Sequence, residues 1–262
     1  MKRLALALAA VAAFTGSAFA ADLPARTYTK APEFVAPTWN WTGFYIFGGG
    51  GGGLWDANSG ISDAATGNCL SCVNNRHGGD GWFGTVGAGY DWQFNGRWVA
   101  GIFGDGQFGS IKGNIDVFGL AVGDMKVRDT WAVGGRVGYL VAPNVLSYVN
   151  GGYTGSEWSG SSFLFAPTGT PFGAHTNSFN TQGWFVGGGV ENNLDIFGIT
   201  APGWFMKTEY RAAYFDNKNI SVRDDITNLP VGLDVNFKPF VQTISSSLVY
   251  RFNWGGPIGR NY

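Results

Sequence analysis

Past residue 20 the chain has no apolar run long enough to cross a bilayer as a helix, which takes about 20 residues. A membrane-resident form of it must then be a closed barrel, because only helices and barrels satisfy every backbone group in lipid. Charge is scarce as well: Asp, Glu, Lys and Arg make up 13% of 262 residues, about half the usual share. The signs nearly balance, 17 basic against 18 acidic, and no basic block occurs, so the electrostatic footprint of a nucleic-acid binder is missing. Two cysteines and two histidines leave little material for a metal centre or for histidine-based catalysis.

Glycine, at 43 residues, and aromatics, at 16%, are abundant instead. So many aromatic side chains argue against disorder, since such a chain has much to bury. The length suits a single all-β domain. At the N-terminus a basic head, Met1-Lys2-Arg3, precedes an apolar run from Leu4 to Phe14 and the small-residue site Ala18-Phe19-Ala20. That is the three-part pattern of a signal peptide cleaved after residue 20. Residues 21–40, with Pro24, Pro32 and Pro37, read as an extended periplasmic lead-in.

From residue 41 to 252, eight aromatic, glycine-studded segments can be placed: 41–53, 82–93, 98–108, 127–140, 145–158, 181–192, 204–215 and 241–252. Each has about the length of a tilted strand that crosses a bilayer. Long connectors (54–81, 109–126, 159–180, 216–240) alternate with shorter ones (94–97, 141–144, 193–203). Outer-membrane barrels have this asymmetry, with long loops outside and short turns in the periplasm. Asn95-Gly96 is a strong hairpin signal and Ala142-Pro143-Asn144 an adequate tight turn. The expected fold is all-β: an eight-stranded antiparallel transmembrane barrel with four long outer loops, followed by a tail at 253–262.

Side-chain alternation supports the same reading. In 204–215, Lys207, Glu209 and Arg211 fall on one face and Thr208, Tyr210, Ala212 and Tyr214 on the other. In 127–140, Arg128, Thr130 and Arg136 oppose Trp131, Val133, Val137 and Tyr139. Trp184, Val186 and Val190 oppose Glu191, and Ile244, Leu248, Tyr250 and Phe252 oppose Thr243, Ser245, Ser247 and Arg251. Segments 41–53 and 145–158 have no readable phase. With the apolar faces in lipid, the lumen collects Asp91, Asp105, Glu191 and Glu209 against Arg128, Arg136, Lys207, Arg211 and Arg251. Eight strands leave room for little besides side chains, so these charges should pair and plug the barrel; the alternative is that they line a narrow water path. Trp39, Trp41, Trp92, Trp98, Trp204 and Trp254 are expected at the periplasmic rim, and Trp55, Trp82, Trp131, Trp158 and Trp184 at the outer one.

Cys69 and Cys72, spaced Cys-Leu-Ser-Cys, lack the βαβ context of a redox motif, and a loop disulfide is expected in an oxidising compartment. Zinc would need ligands beyond these two and His77. His77 and His175 lie in outer connectors with no acid or serine at a telling spacing, so no catalytic residue is assigned. The run Gly48 to Gly53 lacks the Lys-Ser/Thr of a phosphate-cradling loop and reads as close backbone approach at a barrel strand.

The stretches Ala21-Asp22-Leu23-Pro24, Trp41-Thr42-Gly43-Phe44-Tyr45, Gly187-Gly188-Gly189-Val190-Glu191 and Tyr250-Arg251-Phe252-Asn253-Trp254 carry a resemblance. The chain resembles, over essentially its whole length, the small outer-membrane β-barrel surface antigens of alpha-proteobacteria, also called outer-membrane immunogenic or porin-like proteins. The resemblance implies an OmpA-type barrel, insertion by the barrel-assembly machinery and exposed antigenic loops. Leu248, Tyr250 and Phe252 are expected to be the assembly signal, although ten residues follow Phe252. The resulting expectation is a non-enzymatic, cofactor-free outer-membrane protein of the cell envelope, monomeric, with both termini periplasmic. Its partners would be outer-membrane lipid and lipopolysaccharide. A narrow passive porin, or an enzyme acting on lipid or peptide, are the alternatives.

Overall fold

A computed structural model describes residues 39–117, 121–199 and 201–252; the proposed signal peptide, most of the lead-in and the tail with Trp254 lie outside them. Eleven strands are present among the described residues: β1 (Gly43–Asp63), β2 (Cys69–Phe94), β3 (Trp98–Val117), β4 (Ala121–Ala142), β5 (Val145–Trp158), β6 (Ser161–Phe165), β7 (Pro171–Thr176), β8 (Phe179–Asn193), β9 (Trp204–Phe215), β10 (Lys218–Asp224) and β11 (Pro230–Phe252). All pair antiparallel.

Two closed rings are stacked on one another. The first runs β1-β2-β3-β4-β5-β8-β9-β11 and returns to β1. Its eight members contain seven of the eight segments expected from sequence in full and the first, 41–53, from Gly43 onward. Strands β5, β8 and β9 are bounded at one end by Trp158, Phe179 and Phe215, while β1 to β4 and β11 continue. There β6, β7 and β10 take over, and the order becomes β4-β6-β7-β10-β11. The outer ring therefore also has eight strands: the four stretches expected to be long loops are largely strand. The cause is visible in β1, whose 21 residues exceed the roughly 10 that a bilayer requires.

Asn95 and Gly96 both have positive φ (48° and 72°), the two-residue hairpin their sequence signals. Glycines at strand-to-strand contacts are needed where backbones crowd: a Cβ on Gly49, Gly51 or Gly81 would collide with the neighbouring strand's main chain. Once β1 is seen paired, its phase is clear. Trp41, Tyr45, Phe47, Trp55 and Ala57 are buried, and Phe44, Ile46 and Leu54 are exposed. In β5, Leu146, Tyr148, Asn150, Thr154 and Trp158 face inward.

The two rings have opposite polarity. In the first, Ile102, Val133, Val137, Val186, Ile244 and Leu248 are exposed while Asp91, Asp105, Arg136, Glu191, Lys207 and Arg211 are buried. That is the polarity of a barrel in lipid. In the outer ring Ile61, Ile115, Met125, Phe163, Ile220 and Val235 form the interior, and Lys112, Asn114, Asp124, Lys218 and Ser221 face out. That is the polarity of a barrel in water.

Two expectations about side-chain placement need correction. Arg128 is not in the lumen: it is half exposed and lies 3.7 Å from Glu157. Register shifts between Phe108 and Ile111 and between Val127 and Asp129 flank it, and a one-residue slip moves every later side chain to the other face. Trp41, Trp55 and Trp158 do not belong to lipid-facing belts, since all three are almost fully buried inside the barrel. Trp82, Trp92, Trp98, Trp131, Trp184 and Trp204 are exposed on its outer wall. On β11, Leu248, Tyr250 and Phe252 share the outward parity, since Ser247, Val249 and Arg251 between them are buried; Leu248 is exposed, and Tyr250 and Phe252 are half-buried because their rings pack on Trp204, Phe44 and each other.

Candidate functional site

Among the described residues, buried charge gathers in the interior of the membrane ring. Asp91 on β2, Arg136 on β4, Glu191 on β8 and Arg251 on β11 come from every second strand of the ring, so they converge at one level, as inward residues of alternate strands do in small barrels. Arg136 donates Nε to Asp91 Oδ1 at 3.0 Å and Nη2 to Oδ2 at 2.5 Å. Its Nη1 donates to Glu191 Oε2 at 3.0 Å. Arg251 Nε donates to Glu191 Oε1 at 2.7 Å, and its Nη1 lies 2.8 Å from Asp91 Oδ2. The result is a closed square of alternating charge, with all four side chains at most 3% exposed.

A second cluster lies beside the square. Arg211 on β9 reaches across the lumen to Asp105 on β3, with Nη1 and Nη2 at 2.9 and 2.7 Å from the two carboxylate oxygens. Its Nη2 also donates to Glu209 at 2.8 Å. Glu209 further accepts from the Tyr148 hydroxyl at 2.8 Å and lies 3.7 Å from Lys207 Nζ. Four carboxylates thus face four cations. Fixed opposite charges and many donors compensate the desolvation that would otherwise cost several kcal/mol per ion.

Aromatic faces fill the space between charges. The Arg136 guanidinium lies 4.4 Å from the Tyr45 ring and 5.0 Å from that of Tyr148. Lys207 Nζ lies 3.4 Å from the Phe47 ring, and Arg211 packs on Phe185 at 4.6 Å. Trp41 stacks under Arg251 at 4.4 Å and closes the end nearest the short turns. Towards the outer ring, Trp55, Trp158, Phe179 and Phe237 pack edge-to-face or stacked within 5.0–6.1 Å. Tyr45, Phe47 and Trp55 were missed from sequence because the glycine run hides the phase of β1; counting by twos from Tyr45 would have found them.

Of the residues expected in the lumen, Asp91, Asp105, Arg136, Glu191, Lys207, Glu209, Arg211 and Arg251 meet there, and Arg128 does not. Cys69 is disulfide-bonded, and the side chain of Cys72 lies outside the described residues. His77 is half-buried on the inward face of the outer ring, where burial lowers its pKa against the opposing pull of Asp116. His175 Nδ1 lies 2.7 Å from Asp225 Oδ1 and ties β7 to the turn after β10. No group of three or more potential metal ligands occurs among the described residues.

No family model matches the sequence. Over 252 residues, 94% of this chain and 98% of the relative, the sequence is 28% identical to the 31 kDa outer-membrane immunogenic protein of Brucella melitensis. Over 255 residues, 96% and 99% of the two chains, it is 28% identical to the 25 kDa outer-membrane immunogenic protein of Brucella abortus. Among solved structures, the outer membrane protein OprG from Pseudomonas aeruginosa aligns with a TM-score of 0.50 at 14% identity, covering 83% of this chain and 100% of OprG; the likeness is one of fold. Full-length similarity to these outer-membrane proteins, the barrel and its lipid-type outer wall agree: the chain is an integral outer-membrane β-barrel protein, similar over its length to the Brucella outer-membrane immunogenic proteins.

Proposed function

We propose that this protein is a sealed barrel whose membrane ring anchors a rigid, folded outer ring for display at the cell surface and adds to the integrity of the envelope. The observation that carries the reading is the square of Asp91, Arg136, Glu191 and Arg251, bonded side to side across the lumen. The Trp55-Trp158-Phe237 layer adds a second, apolar obstruction. The short turns at 95–96 and 143–144 lie at the end where β1 begins and β11 finishes, which supports periplasmic termini. The reading assigns no catalysis, since His175 is engaged by Asp225 on an exposed face and His77 points into a packed interior.

Planar-bilayer conductance of the refolded protein tests it. The parent should be silent, and Arg136→Ala, which leaves Asp91 and Glu191 with Arg251 alone, should leak. Steady conductance by the parent, changed in ion selectivity by Arg136→Ala or Arg211→Ala, would instead establish a narrow porin.

A further inference from the structure

The outer wall carries two hollows stacked along the same four strands, β9, β11, β1 and β2. The lower one, of about 490 Å³, is floored by Gly52 and walled by Leu54, Trp82, Tyr210 and Ile244. Gly52 has no side chain to fill it, and Trp82, 80% exposed, stands as one side. Its size falls in the range of ligand sites, and its lining is apolar apart from Gln242, Thr243 and Asp80, whose carboxylate stands beside Leu54 at the edge nearer the upper hollow.

The upper hollow, of about 330 Å³, begins a few residues further along each strand and includes Asp56, Asn58, Arg76, Tyr214, Lys238 and Phe240. Asn58 pairs with Arg76 on one side and with Lys238 on the other, which places two cations about 10 Å apart across three strands. Arg76 is ion-paired with Asp56 but is 74% exposed and has donors to spare. Lys238 has no ion-pair partner among the described residues, so the residues lining the upper hollow carry one net positive charge, with Asp80 of the lower hollow as the nearest further carboxylate on β2. At the border between the hollows the Tyr214 ring lies 4.5 Å from those of Trp184 and Phe240. Aromatic rings of this kind sit at headgroup level.

We propose that this face is a binding site for a phosphorylated lipid of the outer leaflet, lipopolysaccharide, with an anchor phosphate held between Arg76 and Lys238 and an acyl chain lying in the lower hollow. The charge above, the aromatic border and the apolar trough below follow the order of chemical groups along such a lipid. The inference rests on the outer-membrane reading, not on the sealed lumen.

The test is native mass spectrometry of protein refolded in phosphatidylcholine vesicles doped with bis-phosphorylated lipid A, with folding checked by the gel shift of heated against unheated samples. The parent should retain lipid A. Arg76→Gln and Lys238→Gln should each reduce retention about fivefold, as expected for one cation at an anionic lipid surface. Gly52→Phe, which fills the trough, should reduce it as well, while Lys126→Gln, three strands from β1 on β4, should not. Excess inorganic phosphate should fail to displace the lipid, since it lacks the chain. Equal retention by all variants, equal retention of dephosphorylated lipid A, or displacement by inorganic phosphate would overturn the proposal. A parent that fails to insert would overturn the membrane reading itself, whereas a parent that inserts without preferring lipid A would overturn only this site.

Discussion

Arg136 makes three hydrogen bonds to two carboxylates and stacks between two tyrosines. Removing one member of such a buried network is expected to cost about 3–5 kcal/mol, so Arg136→Ala should lower the unfolding midpoint in urea as well as open the lumen. Arg136→Lys should rescue little, because an ammonium cannot span both partners with a planar fork. Two adjacent residues of β11 supply a sharper comparison. Leu248 faces lipid, and Ser247 faces inward opposite Lys207. Leu248→Asp should impair insertion into vesicles, whereas Ser247→Asp, which gains a cation as neighbour, should insert. Equal effects would mean that the inside and outside of β11 are wrongly assigned. At the outer turns, Asp63 accepts from Ala65 and Thr66, and Asp224 from Ile226 and Thr227. The bonds to Thr66 and to Thr227 hold the two carboxyl groups below their ordinary pKa of 3.8. A depressed pKa means that each turn keeps its full stabilisation above that value and loses it as pH falls below. An NMR titration of the Thr66 and Thr227 amides should show that loss, and Asp63→Asn should abolish it at the first turn only.

Individual elements show where the sequence was legible and where it was not. Strand β9 was readable because Lys207, Glu209 and Arg211 alternate without interruption, and β8 because Glu191 stands opposite Trp184, Val186 and Val190. Strand β4 misled at Arg128, since period-2 counting assumes a constant register and the bulge there breaks it; nothing in the local residue types marks the break. Strand β1 was silent because glycines carry no phase. The extra strands β6, β7 and β10 were read as loops because Pro171, Gly173 and short segment length resemble turn chemistry and because their partners are distant in sequence. Those elements make a prediction of their own. Phe163, 2% exposed, packs inside the outer ring, so Phe163→Asp should expose residues 161–176 and 218–237 to added protease. Phe163 pairs with Gly123 in the outer extension of β4, above the membrane ring, which should stay inserted and protected.

For the molecule as a whole, the binary pattern of the membrane ring identified the solvent on each face, and the same logic inverted above it. Sequence reading placed the eight crossing strands but not the second ring, because an apolar interior in water and an apolar exterior in lipid produce the same alternation. Only the pairing partners tell them apart. Trp158 sits where the two regimes meet. Its removal as Trp158→Ala is expected to cost about 3–5 kcal/mol and to loosen both rings, measurable as a lowered temperature for loss of the gel shift.

Both rings are closed by the same two strands. The pairing of β1 with β11 runs without a break from Phe44 opposite Phe252 to Asp63 opposite Leu233, joining residues near the two ends of the barrel sequence. Contacts of such long range form late, after local hairpins. Neither ring can therefore mature before the other: the last strand made completes the anchor and the surface structure in one event, and a chain cut short before β11 should yield no closed ring.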